Sequence, residues 1–272
     1  MDLETSGDPS PYIPLFESFR KELDEHHDRR ERVIKRSRDI TAASKKMMRT
    51  VNRPIPAHVQ KAIQPHETAI ATNYAEVAKD LQGMDSYRYS RNITGGNQEF
   101  MESATFSHYL TTGRLLTYEE SCQTFNKLCA GKDEAMDASS EQGPQLSIED
   151  YVLGLYDMTG ELMRFAITAM ATGGALPPVT DGSNAALTEG GGERTVLTDL
   201  RALSAGLEGL EVGHGSSFAR DIDKKMDVMR NSVEKVEKAL YGLVVRGAER
   251  PKGWMPDVDS GGRGRAEVDV EG

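Results

Sequence analysis

Ser147-Ile148-Glu149-Asp150-Tyr151-Val152-Leu153-Gly154-Leu155-Tyr156-Asp157-Met158-Thr159-Gly160-Glu161-Leu162-Met163-Arg164 carries both a fold signal and a chemical one. Ile148, Val152, Leu155, Leu162, Phe165 and Ala169 recur at helical spacing, which predicts one strong helix from Ser147 to about Thr172. Ser147 reads as its N-cap, with Asp150 as the acidic partner at the third position. Asp157 and Glu161 stand i, i+4, so they share one face in apolar surroundings. Like charges at that spacing destabilise a helix slightly, and burial makes an unpaired carboxylate far more costly. Gly154 and Gly160 flank the pair and leave room for a close neighbour.

A second acidic pair lies upstream. Glu99 and Glu102, in Gln98-Glu99-Phe100-Met101-Glu102, are i, i+3 and again share a face. A divalent cation relieves the repulsion and the burial cost together, and oxygen-only ligands favour Mg2+ or Mn2+ over zinc. Two such ions can activate water and stabilise the leaving oxygen of a phosphodiester. Glu99, Glu102, Asp157 and Glu161 are therefore the candidate metal ligands and catalytic groups for phosphodiester hydrolysis. The structural alternative is that these are ordinary helix-face carboxylates, with Arg164 neutralising Glu161 from one turn away. All-α nucleotide pyrophosphohydrolases offer a rival metal arrangement, an ExxE pair beside an ExxD pair. The Asp-x-x-x-Glu spacing here matches it poorly. No CxxC, HExxH, GxGxxG, Walker lysine or GxSxG motif occurs. His108 is a candidate proton carrier, although a packed, hydrogen-bonded histidine is the commoner state.

The rest of the chain reads as helices. A very long one is expected from about Pro14 to Val51, with Phe16, Phe19, Leu23, Val33, Ile40 and Met47 as its apolar stripe, ended by Arg53-Pro54-Ile55-Pro56. At 1.5 Å per residue it approaches 55 Å, which calls for an extended bundle or a partner. A second is expected over Ala57–Leu81, offset near Pro65, then a turn at Gly83-Met84-Asp85. A third spans Ser86–Thr112, weakened at Gly95-Gly96. Thr117 and Glu120 form a capping-box pattern opening a helix to Ala130. Residues 131–146 read as a surface loop, and the Gly- and Pro-rich stretch 173–193 as a flexible insertion. A weaker helix follows to Leu210. In the last helix, Ser216 to about Val245, Phe218, Ile222, Met226, Met229, Val233, Val236, Leu240 and Leu243 make a near-heptad seam. One helical domain over 14–250, with disordered ends at 1–13 and 251–272, completes an all-α reading without any strand period.

Composition agrees. The 272 residues are 38% hydrophobic, 6% aromatic and 28% charged, which suits long amphipathic helices better than a β-sandwich. No apolar run approaches the ~20 residues a membrane span needs. The acidic, polar start (Met1–Ser10) is unlike a secretory signal, and Cys122 and Cys129 stand seven residues apart in a helix, too far for a disulfide. A reducing cytoplasmic and nuclear location is expected. Net charge is −10, yet Arg29, Arg30, Arg32, Lys35, Arg36, Arg38, Lys45, Lys46 and Arg49 cluster with only Glu31 and Asp39 among them. That local excess is a candidate phosphate track, or else a solvated helix face. Arg29, Arg30, Arg36 and Arg38 are the candidates for holding backbone phosphates.

Three segments then carry a family resemblance. They are Leu15 to Asp24 with Ser37-Arg38-Asp39-Ile40-Thr41; Thr94-Gly95-Gly96-Asn97-Gln98-Glu99-Phe100-Met101-Glu102-Ser103-Ala104; and Tyr151-Val152-Leu153-Gly154 through Asp157-Met158-Thr159-Gly160-Glu161-Leu162-Met163-Arg164. Lys235-Val236-Glu237-Lys238, Tyr241 and Val245-Arg246-Gly247 agree as well. The chain resembles the translin family, in particular its translin-associated factor X branch. The resemblance implies a translin-like α-superhelical bundle of about seven helices that assembles with translin into a barrel-like hetero-octamer. It also implies Mg2+-dependent endoribonuclease activity on single-stranded RNA, as in passenger-strand removal during RNA silencing. The family's catalytic carboxylates fall on Glu99, Glu102, Asp157 and Glu161, a quartet that translin itself lacks in full. The insertion 173–193 is longer than the family pattern leads one to expect.

Overall fold

A computed structural model describes residues 12–51, 57–131, 143–181, 184–185, 193–213 and 215–246. Among them the helices are α1 (Ile13–Val51), α2 (Ala57–Asp80), α3 (Met84–Arg88), α4 (Ser90–Thr112), α5 (Tyr118–Ala130), α6 (Ile148–Gly173), α7 (Val196–Glu208) and α8 (Ser217–Arg246). The chain is all-α, as its periodicity requires. Eight helices replace the expected seven because the segment expected as one helix from Ser86 is divided at Tyr89. Tyr89 is buried, and His26 of α1 meets its hydroxyl at 2.6 Å, so the ring is held where a straight helix would carry it away. Within the stretch 173–193, two-residue strands β1 (Thr180–Asp181) and β2 (Asn184–Ala185) pair antiparallel, with Thr180 opposite Ala185. The expected end segments (apart from Tyr12 and Ile13), most of the loop 131–146 and much of the insertion lie outside the described residues. No helix of the described residues is long and apolar enough to cross a membrane.

Helix starts follow the sequence signals. Thr117 accepts from the Glu120 amide at 3.2 Å, and the Glu120 carboxylate accepts from the Thr117 amide at 2.9 Å, closing the capping box of α5. Ser147 Oγ accepts from the Asp150 amide at 3.0 Å at the start of α6. Pro65 does not end α2, which runs through it.

The described chain divides into two compact units. The first holds α1, α2, α3, α4 through Ala104, α5 and α6 through Gly154. In it α1 and α2 run antiparallel, with Arg36 donating to Asn73 at 3.1 Å and Arg32 chelating Asp80 at 2.6–3.2 Å. Ile40, Ile70, Leu81 and Met101 fill its core, and the Tyr74 ring meets Phe100 and Phe125 edge-on at 5.3 and 5.1 Å. Gly96 lets α4 lie directly on α1. A Cβ there would stand 3.0 Å from the Ser37 carbonyl oxygen, and the Gly96 amide donates to Ser37 Oγ at 3.1 Å. Gly96 thus serves packing, Gly95 faces open space, and the helix runs through both.

The second unit holds the remainder of α4 and α6, with α7 and α8. Met158, Leu162, Ala166, Leu200, Met229 and Val236 are its buried apolar centre. Tyr109 donates to Asp199 at 2.7 Å, and Arg194 joins Asp199 to the Gly113 carbonyl at 2.5 and 2.8 Å. This ties the chain entering α7 to the end of α4.

Three expected stripes are corrected. Ile148 is exposed, because the first turn of α6 still lies at the surface, while Tyr151 to Tyr156 are buried on nearly every side. Phe16, Phe19 and Leu23 of α1 are exposed. In α8 the buried line is Ile222, Met229, Val236 with Ser232 and Ala239; Phe218, Met226, Val233, Leu240 and Leu243 are only half-buried.

Candidate functional site

α4 presents Glu99 and Glu102 on adjacent turns of the first unit. Lys45, on α1, places Nζ 2.9 Å from Glu99 Oε1. The lysine is held charged above its ordinary range by this hydrogen bond, by the Glu99 charge and by that of Glu102, with Arg49 opposing. Four charged groups of alternating sign therefore share one surface where α1 meets α4. The sequence placed Lys45 only in the basic cluster of α1 and not beside the carboxylates, because nothing in its local pattern distinguishes it from the other basic residues there.

Two features set α4 at this point. The first is Gly154 of α6, where a Cβ would lie 2.6 Å from Met101 Cβ, 3.0 Å from the Gln98 carbonyl oxygen and 3.2 Å from the Glu102 amide. Only hydrogen fits, so α6 is pressed against the turn bearing both glutamates. Gly160, by contrast, faces open space. The second is Asp150, buried at the start of α6. Its carboxylate accepts from Asn97 Nδ2 at 2.9 Å and Gln98 Nε2 at 3.2 Å, and Tyr74 donates to Asn97 Oδ1 at 3.1 Å. Burial pushes the Asp150 carboxyl up, partly offset by the amide donors. Asp150 keeps its expected capping contact with Ser147 and is in addition a cross-helix clamp, fixing the residues immediately before Glu99.

The other pair belongs to the second unit. Asp157 is partly exposed and ion-paired with Lys225 of α8, 68 positions away. Glu161 is buried and ion-paired with Arg164, which is exposed. The structural alternative raised for Glu161 is thus physically realised. Among the described residues no three His, Cys, Asp or Glu side chains stand together as a metal group. Instead, Glu99, Asp157 and Glu161 each rest against one basic side chain. The carboxylates of each pair offer oxygen donors only, the ligand type that hard divalent cations take.

The four basic candidates separate. Arg29 pairs with Asp85 and approaches Asp80 at 3.9 Å, with its Nε buried, and Arg36 is spent on Asn73. Both join α1 to its neighbours. Arg30 and Arg38 are exposed on α1 and remain available to a polyanion. His108 is half-buried, and its Nε2 has no hydrogen-bond partner.

The sequence model of the Translin family matches residues 28–247. The chain is 32% identical to translin-associated protein X of Rattus norvegicus over 264 residues, covering 92% of this chain and 84% of that one. It is 30% identical to the translin-associated protein X homolog of Schizosaccharomyces pombe, over 86% and 89% of the two chains. In structure it resembles apo-NeC3PO with a TM-score of 0.56, at 16% identity, over 85% of this chain and 97% of that one. Helical architecture, extent of match and identity across nearly the whole length agree: this chain belongs to the translin family.

Proposed function

We propose that this chain is the nuclease subunit of a hetero-oligomer with translin, a divalent-metal-dependent endoribonuclease that cuts single-stranded RNA in small-RNA processing or silencing. The partner is proposed because the similar proteins in rat and fission yeast are named for association with translin. The single observation that carries the chemistry is Lys45 on the Glu99–Glu102 turn, held there by Gly154 and the Asp150 clamp. A stack of two helix-borne glutamates, locked in register and offset by an exchangeable cation, is what a carboxylate metal site needs before loading.

In this reading Glu99, Glu102, Asp157 and Glu161 would hold Mg2+ (or Mn2+), and the ion would supply activated water and charge neutralisation at phosphorus. Lys45, which pairs with Glu99, would add positive charge near a scissile phosphate. Gly154 and Asp150 act through position alone. Arg30 and Arg38 hold the RNA backbone by charge, without sequence preference.

The competing reading is a non-catalytic adaptor. It is favoured by the ion pairs of Asp157 with Lys225 and Glu161 with Arg164, which satisfy both carboxylates without any metal. Asp157→Asn separates the two. In a complex reconstituted with translin, cleavage of a labelled single-stranded RNA is titrated with Mg2+. A nuclease subunit loses at least a hundredfold in rate while still assembling; an adaptor cleaves as wild type does.

A further inference from the structure

Helix α1 carries one coiled-coil seam, interrupted by the exposed Arg30, and only part of it is used within the chain. Phe16, Phe19, Leu23, His26, Arg30, Val33, Ser37, Ile40, Ser44, Met47 and Val51 follow one another at spacings alternating between three and four. That 3.5-residue period is the signature of a helix meant to lie along another helix. From Val33 to Val51 every seam residue is at most 7% exposed. At Phe16, Phe19 and Leu23 the exposure is 66%, 49% and 67%.

The change happens where α2 ends. Asp80, the last residue of α2, is held by Arg32 and approached by Arg29, so the antiparallel partner of α1 stops level with these residues. His26, joined to Tyr89 and Arg88, closes the last contact with the neighbouring segment. N-terminal of His26, α1 runs on for about 13 residues, some 20 Å at 1.5 Å per residue. Ile13 and Leu15 widen the exposed stripe, at 45% and 49% exposure. The flanking charges are spent within the helix, Arg20 on Asp24 and Lys21 on Glu25.

With five large apolar side chains about half exposed, the projecting stripe presents on the order of 500 Å². That is as large as the greatest apolar patch of an ordinary monomer, and most of the ~800 Å² per side that a stable interface buries. A surface of that size at strict coiled-coil spacing, in line with a seam already packed on helices, requires a helix on it.

We infer that the projecting half of α1, through Phe16, Phe19 and Leu23, is the surface that docks a helix of the translin partner subunit. The inference rests on the partner proposed above and names where it binds. The docking helix offers an apolar stripe at matching 3.5-residue spacing, laid at a shallow crossing angle as in left-handed coiled coils. Because Arg20, Asp24, Lys21 and Glu25 are already neutralised, apolar burial rather than charge holds it.

The test is the double variant Phe19→Ser/Leu23→Ser, at solvent-exposed sites where the fold has little to lose. Wild type and variant are each co-expressed with translin, purified through a tag on translin, and sized by analytical ultracentrifugation. Circular dichroism of each chain serves as the folding control. The expected result is at least a tenfold loss of co-purifying chain for the variant, with helicity unchanged. Equal recovery of wild type and variant overturns the docking surface and leaves the partner intact. Failure of the wild type itself to co-purify overturns both. A chain that dimerises alone through these residues, while still binding translin in the variant, overturns the assignment in favour of a second copy.

Discussion

Asp150 is a carboxylate almost removed from water, and its two amide donors belong to the residues that lead into Glu99. Its carboxyl is raised by burial, so the folded chain holds that proton to higher pH than the unfolded chain does. Folding is then linked to proton uptake at this group. Its contribution falls as pH climbs from the ordinary carboxyl range, near 4, through the raised value. Asp150→Asn removes that slope, which a series of melting curves across mildly acidic pH detects as a flatter dependence than wild type. Asp150→Ala leaves the Asn97 and Gln98 amides buried without an acceptor, and is expected to lower Tm by several degrees, about 2 kcal/mol. At this scale the sequence exposed the acidic pairs, because i, i+3 and i, i+4 spacings are local. It concealed Lys45 and Lys225, because a cation on another helix has no local mark.

Most helices were legible. The capping signals at Thr117 and Ser147 and the Pro54–Pro56 break located ends within a residue or two. The division at Tyr89 was not legible, since it depends on His26 of another helix rather than on any breaker residue. Nor was the half-exposed character of α1, since periodicity reports that a stripe exists and not how far its partner extends. Pro65 is the element-scale anomaly: it lies in the interior of α2, exposed, and withholds one amide from the helix ladder. Pro65→Ala restores that donor and the helix propensity. It is expected to raise stability by about 1–2 kcal/mol, read as a higher urea midpoint with an unchanged slope. An unchanged midpoint would mean the fold gains from a bend at this position.

Across the whole molecule, the proposed RNA binding has to be reconciled with a net acidic charge by where the basic groups stand. With a net charge of −10, contact with a polyanion must rely on a local track, and part of the track on α1 is committed to holding helices together. Arg30→Ala and Arg38→Ala are expected to weaken single-stranded RNA binding by the complex. Each should also reduce the log–log salt slope by about 0.7, as fluorescence anisotropy at several ionic strengths would read. Arg29→Ala and Arg36→Ala act differently, lowering thermal stability through lost contacts between helices. Unchanged affinity in the Arg30 and Arg38 variants would place the phosphate track elsewhere, and an equal loss across all four would put Arg29 and Arg36 on it as well.

Both thiols lie on α5 and both are free. Burial pushes the Cys129 thiol up to about 12, so near neutral pH almost none of it is the thiolate that alkylating reagents attack. Cys122 and Cys129 are both half-buried on this helix. A chain treated with iodoacetamide is therefore expected to label Cys129 far more slowly than an ordinary free thiol, and mass spectrometry of the labelled peptides reads how strongly this stretch of α5 keeps that thiol protonated.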